Sequence, residues 1–432
     1  MATYKDIRNS YDILWDSSIK TGDFTAVSKA GYFINTTSGV VVMTLPASPN
    51  PGDFVAAKDY ARTFATNKLS INGNGQKIQG DTANSALDQN GDTVVLVYID
   101  STKGWLYTQE NTVTPVSNAE YVIASGGTET TVGDYKVHVF NSSGTFTVNQ
   151  AGNAAGSDSV DYMVIGGGGG GGVFYGGGGG GAGGFRESVP ACAAWTASPR
   201  ANPGGALPVS VTAYPITVGG GGSPATRAAW PWPRYTPGSA SSFSTITSAG
   251  GGGGSCVNYA PTCSNKGGPG GSGGGTFGFN GGTAPGGAGN SPPVTPPQGS
   301  PGSPQPGTYP SESLKRGSGG GGATATGSQG STGPGAGGAG ATTAIVTGSP
   351  ASYAGGGGGG GAPSQPAVGS GGTGGGGRGA PGTASPFPAA GVPGTSNTGG
   401  GGGGGGCGAP GPSVYGGSGG SGKVVIRYKF QN

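Results

Sequence analysis

Charge is scarce in this sequence: of 432 residues, 21 are Lys or Arg and 18 are Asp or Glu, a charged fraction of 9%. The formal net charge of +3 comes without a cluster of basic residues, which excludes the electrostatic footprint of nucleic-acid or anionic-membrane binding. Histidine occurs once, as His138 within the alternating stretch YKVHVF, so a histidine-rich metal site or a Ser-His-Asp triad is not expected. Long apolar runs are missing too. The longest, VVLVYI at 94–99, has the length of a strand, far short of the ~20 residues of a membrane-spanning helix. The start, MATYKDIRNSYDILWD, carries Lys5, Asp6 and Arg8 and lacks the apolar core of a secretory signal. The expectation is residence in the cytosol or exit inside a virus particle released by lysis.

What abounds is glycine. With 104 Gly and 34 Pro, these two residues make up close to a third of the chain, a range typical of low complexity. Disordered chains, however, usually stay unfolded through high net charge, and this one has little. A chain poor in both charge and large apolar side chains needs another source of cohesion.

Composition divides the sequence into three parts. Residues 1–112 read as a small antiparallel β domain. GYFINTTSGVVVMTLP (31–46) reads as two strands joined at Ser38-Gly39, and DFVAAKDY (53–60) as a third. LSINGNGQKIQG (69–80) alternates around Asn-Gly turns, and TVVLVYIDSTKGWLYT (93–108) is the clearest hairpin. Residues 113–165 are a linker and a second β segment, in which YKVHVFNSSGTFTV (135–148) reads as a strand pair and VDYMVI (160–165) as a strand entering the glycines. Residues 166–432 are glycine-rich, with runs at 166–172, 176–181, 219–222, 250–254, 319–322, 355–361, 374–377 and 399–406, and a closing strand KVVIRYKF (423–430). The expected fold class is mainly β plus a region that is neither α nor β.

A flexible linker has no reason to repeat, yet here the runs recur between strands. Glycine chains can adopt the left-handed, three-residue helix of the polyproline II class, whose N–H and C=O groups all point outward. Packed side by side, such helices can bond every outward group to a neighbour, and the missing Cβ permits the close approach. The cost is conformational entropy, so only a block of several helices is expected to hold.

The order HVFNSSGTFTV, VDYMVIGGGGGGGVFYGGGGGGAGGF, YPITVGGGG, SASSFSTITSAGGGGG and GSGGSGKVVIRY resembles the glycine-rich domain of bacteriophage tail fibres and adhesins, over roughly residues 120–432. The stretch DFTAVSKAGYFINTTSGVVVMTLPASPNPGDFVAAKDY is similar to a small β module of phage virion proteins. The resemblance implies a bundle of polyglycine II helices whose distal loops touch a host receptor. The expected partners are other virion proteins, reached through residues 1–112, and a host cell-surface glycan or outer-membrane protein, with a homotrimer as a candidate assembly. The alternative is a purely structural virion part: a capsid decoration, head fibre or tail spacer. This chain departs from the pattern in its Pro- and Trp-rich inserts at 190–208, 224–238 and 283–316.

Those inserts hold the candidate contact residues. AAWPWPRYTPG (228–238) sets Trp230, Trp232, Arg234 and Tyr235 among prolines, CAAWTASPR (192–200) places Trp195 near Arg200, and Tyr259 and Tyr309 complete the set. Prolines lower the ordering cost of binding and amphipathic aromatics make contact surfaces; the competing reading is that the rings shield the edge of the glycine bundle. Cys256 and Cys263 bracket a short loop that a disulfide could close, and Cys192 and Cys407 could join the first glycine segment to the last; four free thiols are the other reading. GSGGSGKV (417–424) fits GxxxxGK but has Val424 where a phosphate-binding loop needs Ser or Thr, and a strand follows it. Asp81, Asp88, Asp92 and Asp100 are the carboxylates from which a hydrolytic pair could be drawn, and turn positions account for them more simply. No enzyme activity, cofactor or metal is expected.

Overall fold

In a computed structural model of the chain, residues 13–111, 119–154, 156–173, 176–189, 195–224, 236–255, 266–277, 283–305, 316–329, 333–361, 366–382, 390–406 and 415–431 are described. The chain divides into two compact units, Met1–Asn118 and Ala119–Asn432. Among the described residues there are strands, turns and extended segments, and no α-helix.

The first unit contains β1 (Leu14–Lys20), β2 (Phe24–Thr25), β3 (Ala30–Ile34), β4 (Val41–Thr44), β5 (Phe54–Asp59), β6 (Leu69–Asn72), β7 (Ser85–Leu87), β8 (Thr93–Asp100) and β9 (Gly104–Asn111). They form two sheets, ordered β1-β3-β5-β8-β9 and β2-β4-β6-β7. β3 to β6, β8 and β9 lie where alternation predicts them, whereas β1, β2 and β7 were not expected, and the expected antiparallel domain is mixed. β1, β3 and β5 pair in parallel, as do β2, β4 and β6; antiparallel pairing is confined to the ladders of β7, β8 and β9. The reason is burial. Ala30, Tyr32 and Ile34 of β3 and Val41 and Met43 of β4 enter one core. Strands in different sheets can bury those side chains against each other, so the turn Thr36–Gly39 carries the chain across instead of closing a hairpin. Phe64, Leu96 and Trp105 fill the same core, and each large apolar side chain so buried contributes about 1.5–3 kcal/mol. Asp59, itself buried, ties the loops together by accepting from Thr63 N–H (3.2 Å), Phe64 N–H (3.3 Å) and Gly91 N–H (2.9 Å).

The second unit adds β10 (Ile123–Ser125), β11 (Thr128–Val132), β12 (Tyr135–Phe140), β13 (Gly144–Gln150), β14 (Ser159–Ile165), β15 (Phe185–Ser188), β16 (Ala201–Asn202), β17 (Leu207–Pro208), β18 (Ala213–Thr217), β19 (Ser241–Phe243), β20 (Ile246–Ser248), β21 (Ala341–Thr343), β22 (Ala351–Tyr353) and β23 (Lys423–Lys429). One sheet runs β10-β13-β18-β19-β20 and the other β11-β12-β23-β14-β15-β16, with β17 on β14 and β21-β22 as a separate pair. The expected pairing of 135–140 with 144–148 does not occur. β12 and β13 belong to facing sheets, because Phe140 and Phe146 bury in one cluster with Tyr162, Val164, Phe243, Val424 and Ile426. β23, the last strand, inserts between β12 and β14, aligning Val425 with both Val139 and Met163. The glycine-rich segment therefore leaves the sheet after β14, rejoins its edge at β15 and β16, and ends within it at β23.

Between those strands the backbone forms a block held by hydrogen bonds between distant segments. Residues 177–184 illustrate its order. Their N–H groups donate in rotation to three neighbours: Gly177, Gly180 and Gly183 to Gly405, Gly402 and Gly399; Gly178, Gly181 and Gly184 to Ser255, Gly252 and Ala249; Gly179 and Ala182 to Ser318 and Gly321. Their carbonyls accept from three others, as in Gly169 to Gly181, Gly275 to Gly179 and Gly357 to Gly180. Each neighbour recurs every third residue, and six segments surround the one. A methyl group on Gly180 would overlap the carbonyl of Gly169, so side chains have no room there. Val173 is buried at the end of the first run, while Phe174 and Tyr175, expected to complete its reversal, lie outside the described residues.

Part of what reads as inserts belongs to this block. Residues 283–290 and 298–305 are joined to it through Gly287 N–H to Gly274 O, Gly302 N–H to Gly287 O and Ser303 N–H to Gly319 O. Their prolines Pro285, Pro301 and Pro304 are exposed while Gly287 and Gly302 are buried. Proline has no N–H to satisfy, so it suits a solvent-facing position, and its fixed φ suits an extended chain.

Candidate functional site

The runs of the block alternate in direction, so their connections gather at two ends. At the sheet end Gly166 N–H meets Gly184 O, Gly183 N–H meets Gly399 O and Gly422 N–H meets Gly219 O, next to β14 and β23. The other end is fixed by a chain of contacts: Gly172 N–H to Gly178 O, Gly178 N–H to Ser255 O, Phe277 N–H to Ser255 Oγ, Gly177 N–H to Gly405 O, Gly317 N–H to Gly360 O, Gly379 N–H to Gly369 O and Gly391 N–H to Tyr415 O. The chain departs from this far end and rejoins it at 224 and 236, 255 and 266, 305 and 316, 361 and 366, 382 and 390, and 406 and 415. The 290–298 connection at the sheet end is held by one of its own side chains. Asn290 Oδ1 accepts from Val294 N–H and Gln298 N–H at 3.1 and 3.2 Å.

Trp230, Trp232, Arg234, Tyr235, Tyr259 and Tyr309 lie outside the described residues, in segments whose flanks sit at the far end. Trp195 and Arg200 are at the sheet end, apart from the rest. Trp195 is 7% exposed, packed in a cluster with Met163, Phe185, Ile345 and Val425, and its indole N–H reaches Asp161 Oδ2 at 3.5 Å. Arg200 donates to Ser300 Oγ at 3.2 Å. The ring expected at a receptor surface is instead buried in this apolar cluster, and a carboxylate on β14 accepts a hydrogen bond from its indole N–H. Cys192, Cys256, Cys263 and Cys407 also lie outside the described residues.

Beneath the block, one face of the β14–β23 sheet carries a buried ionic cluster that sequence reasoning missed. Asp161 and Arg427 face each other across the two strands, and Glu187 projects from β15 at 1% exposure. Ser188 Oγ donates to Asp161 Oδ1 at 2.8 Å, Ser198 N–H to Glu187 Oε2 at 2.8 Å, and Arg427 Nη1 to the carbonyl of Ile345 at 3.1 Å; the guanidinium lies 4.5 Å from the Tyr135 ring centre. Burial raises the pKa of Asp161 against the opposing pull of Ser188, Trp195 and Arg427. Burial likewise pushes Glu187 up to about 7, helped by the nearby Asp161 and opposed by hydrogen bonds from Thr343 and Ser198. The available signal was in VDYMVI, where Asp161 shares the alternation of Met163 and Ile165.

The other titratable candidates have local partners. His138 is buried, with Nδ1 2.7 Å from Gly126 O and Nε2 3.1 Å from the Tyr428 hydroxyl, and desolvation lowers its pKa. Asp81, Asp92 and Asp100 accept backbone N–H groups at turns, from Ala83, Gln89 and Thr102 at 2.9, 3.2 and 2.7 Å, and Asp88 accepts from the side chain of Gln89 at 3.1 Å. Gly417–Gly422 form a run of the block, and Lys423 opens β23.

Residues 140–429 match the model of a family described as a glycine-rich domain. The chain belongs to this glycine-rich domain family. The match begins at the end of β12 and closes on the last residue of β23, so the glycine-rich domain comprises the block together with most of the sandwich at its sheet end. No curated protein matches the chain.

Proposed function

We propose that the protein is a phage virion fibre, that its glycine-rich domain is a bundle of polyglycine II helices, and that the connections at the far end of the bundle bind the host surface. The observation that carries this reading is the three-residue rotation of hydrogen bonds around 177–184, with six surrounding segments. A three-residue turn with every N–H and C=O outward is the geometry of the polyproline II class, and glycine allows its lateral packing. Such a bundle is stiff because its inner runs are bonded on every side, and the flanks of the aromatic-bearing segments meet at one end. The chemistry of those segments, Trp, Tyr and Arg among prolines, suits a cell-surface glycan or an outer-membrane protein. On this reading residues 1–112 attach the chain to the virion, and a homotrimer is a natural fibre assembly.

A purely structural spacer is the second reading, favoured by the burial of Trp195 and the engagement of Arg200 within the fold. Replacing residues 225–235, 256–265 and 306–315 with Gly-Ser segments in assembled particles separates the two. Host adsorption reduced tenfold or more, with normal particle assembly, supports receptor binding; unchanged adsorption supports the spacer. Immunogold labelling on the head rather than the tail would sink the tail-fibre placement.

A further inference from the structure

The sandwich of the second unit has an open groove of about 500 Å³ at its edge, lined by residues of both sheets. Tyr121 and Ile123 come from the β10 side, Glu129 and Lys136 from β11 and β12, Gln150 from the end of β13 and Phe430 from the end of β23. Its size falls within the ~300–1,000 Å³ of small-molecule sites. The polar groups are prearranged. Lys136 Nζ lies 2.7 Å from Glu129 Oε1 and 5.0 Å from the centre of the Phe430 ring, so both charges are held at the wall. The Lys136 hydrogen bond keeps the Glu129 carboxyl below its usual pKa, hence ionised near neutrality. Gln150 donates its amide N–H to the Tyr121 carbonyl at 3.1 Å, which leaves its own side-chain oxygen as an acceptor. The Tyr428 hydroxyl is already engaged by Ala124 N–H and His138.

We propose that this groove binds a neutral saccharide of one or two pyranose rings. An ammonium beside a carboxylate offers a donor and an acceptor side by side, matching a vicinal diol whose hydroxyls both give and accept hydrogen bonds. The Phe430 and Tyr121 rings supply apolar faces for the C–H side of a pyranose. A wholly apolar ligand would desolvate the ion pair without replacing its hydrogen bonds, which is costly. An anionic sugar meets two carboxylates, Glu120 and Glu129, against one ammonium. The inference stands on the sandwich groove alone and does not depend on the fibre reading or the far-end segments.

Saturation-transfer NMR on the full chain tests it, with methyl α-glucoside, α-galactoside and α-mannoside as probes and methyl β-glucuronide as the charged comparison. At least one neutral glycoside is expected to receive saturation, and Glu129→Gln and Lys136→Met are each expected to weaken its binding at least fivefold. Both side chains are partly exposed, at 41% and 28%, so the variants should keep the wild-type unfolding transition, which is measured alongside. Absence of transfer to all three neutral glycosides overturns the proposal. So does binding of the glucuronide alone, or neutral-glycoside binding that both folded variants leave unchanged.

Discussion

A single methyl group at two glycines should have opposite effects. Gly180 lies inside the block: its N–H donates to Gly402 O at 2.8 Å, its carbonyl accepts from Gly357 N–H at 2.8 Å, and the adjacent Gly169 N–H donates to Gly181 O at 2.8 Å. In Gly180→Ala the new Cβ overlaps the Gly169 carbonyl, so that run must withdraw. Weakening these three bonds costs about 1 kcal/mol each, and every group left dry adds about 1–3 kcal/mol, for roughly 3–6 kcal/mol in all. That is a large share of the ~5–15 kcal/mol by which domains are typically stable. Gly220 is the counterpart at the edge. It is exposed, a Cβ there meets nothing within 4 Å, and its φ lies outside the left-handed region. Gly220→Ala should therefore stabilise by about 0.4–1 kcal/mol, by restricting the unfolded chain. Urea unfolding followed by tryptophan fluorescence measures both, since Trp195 is buried against the sheet that holds the block. Equal effects at the two positions, or a neutral Gly180→Ala, would refute the packing argument.

Two further outcomes follow from buried acids. The folded pKa of Glu187, about 7, lies above the ordinary 4.5, so its contribution is fully present below pH 4.5 and is lost as pH rises to about 7. The loss amounts to about 3 kcal/mol. Raised Asp161 acts in the same direction, and Glu187→Gln should flatten most of the decline in the unfolding transition of the second unit between pH 5 and 8; an unchanged decline would reject the assignment. In the first unit, Asp59→Ala strands the N–H groups of Thr63, Phe64 and Gly91 and should cost about 3 kcal/mol in denaturant unfolding, whereas a loss under 1 kcal/mol would mean that water replaces the carboxylate.

Strand positions were legible because alternation marks a half-buried strand: 53–60, 93–108, 160–165 and 423–430 all hold strands. Partners were not, since alternation says which face is apolar but not which strand lies beside it. Tyr32 and Met43 look the same whether β3 and β4 form a hairpin or face each other across a core, and Phe140 and Phe146 pose the same ambiguity. The glycine runs were legible as packing elements, yet runs containing proline were read as inserts, because Pro301 and Pro304 resemble loop residues until their outward position is known. At the candidate site, grouping Trp195 with Trp230 treated nearness to proline and arginine as a sign of exposure. The residues that bury Trp195, among them Met163, Phe185, Ile345 and Val425, are mostly distant in sequence, and no local pattern links them.

Hydrogen exchange at single glycine amides tests the central claim most directly. If the block is built on a three-residue turn, all N–H groups of 177–184 should exchange slowly, while 218–224 should show the period itself. Gly219 and Gly222, which donate to Ser241 Oγ and Gly168 O, should be protected, and Gly220 and Gly221 between them should exchange freely. Fast exchange throughout 177–184, or uniform protection across 219–222, would contradict the account.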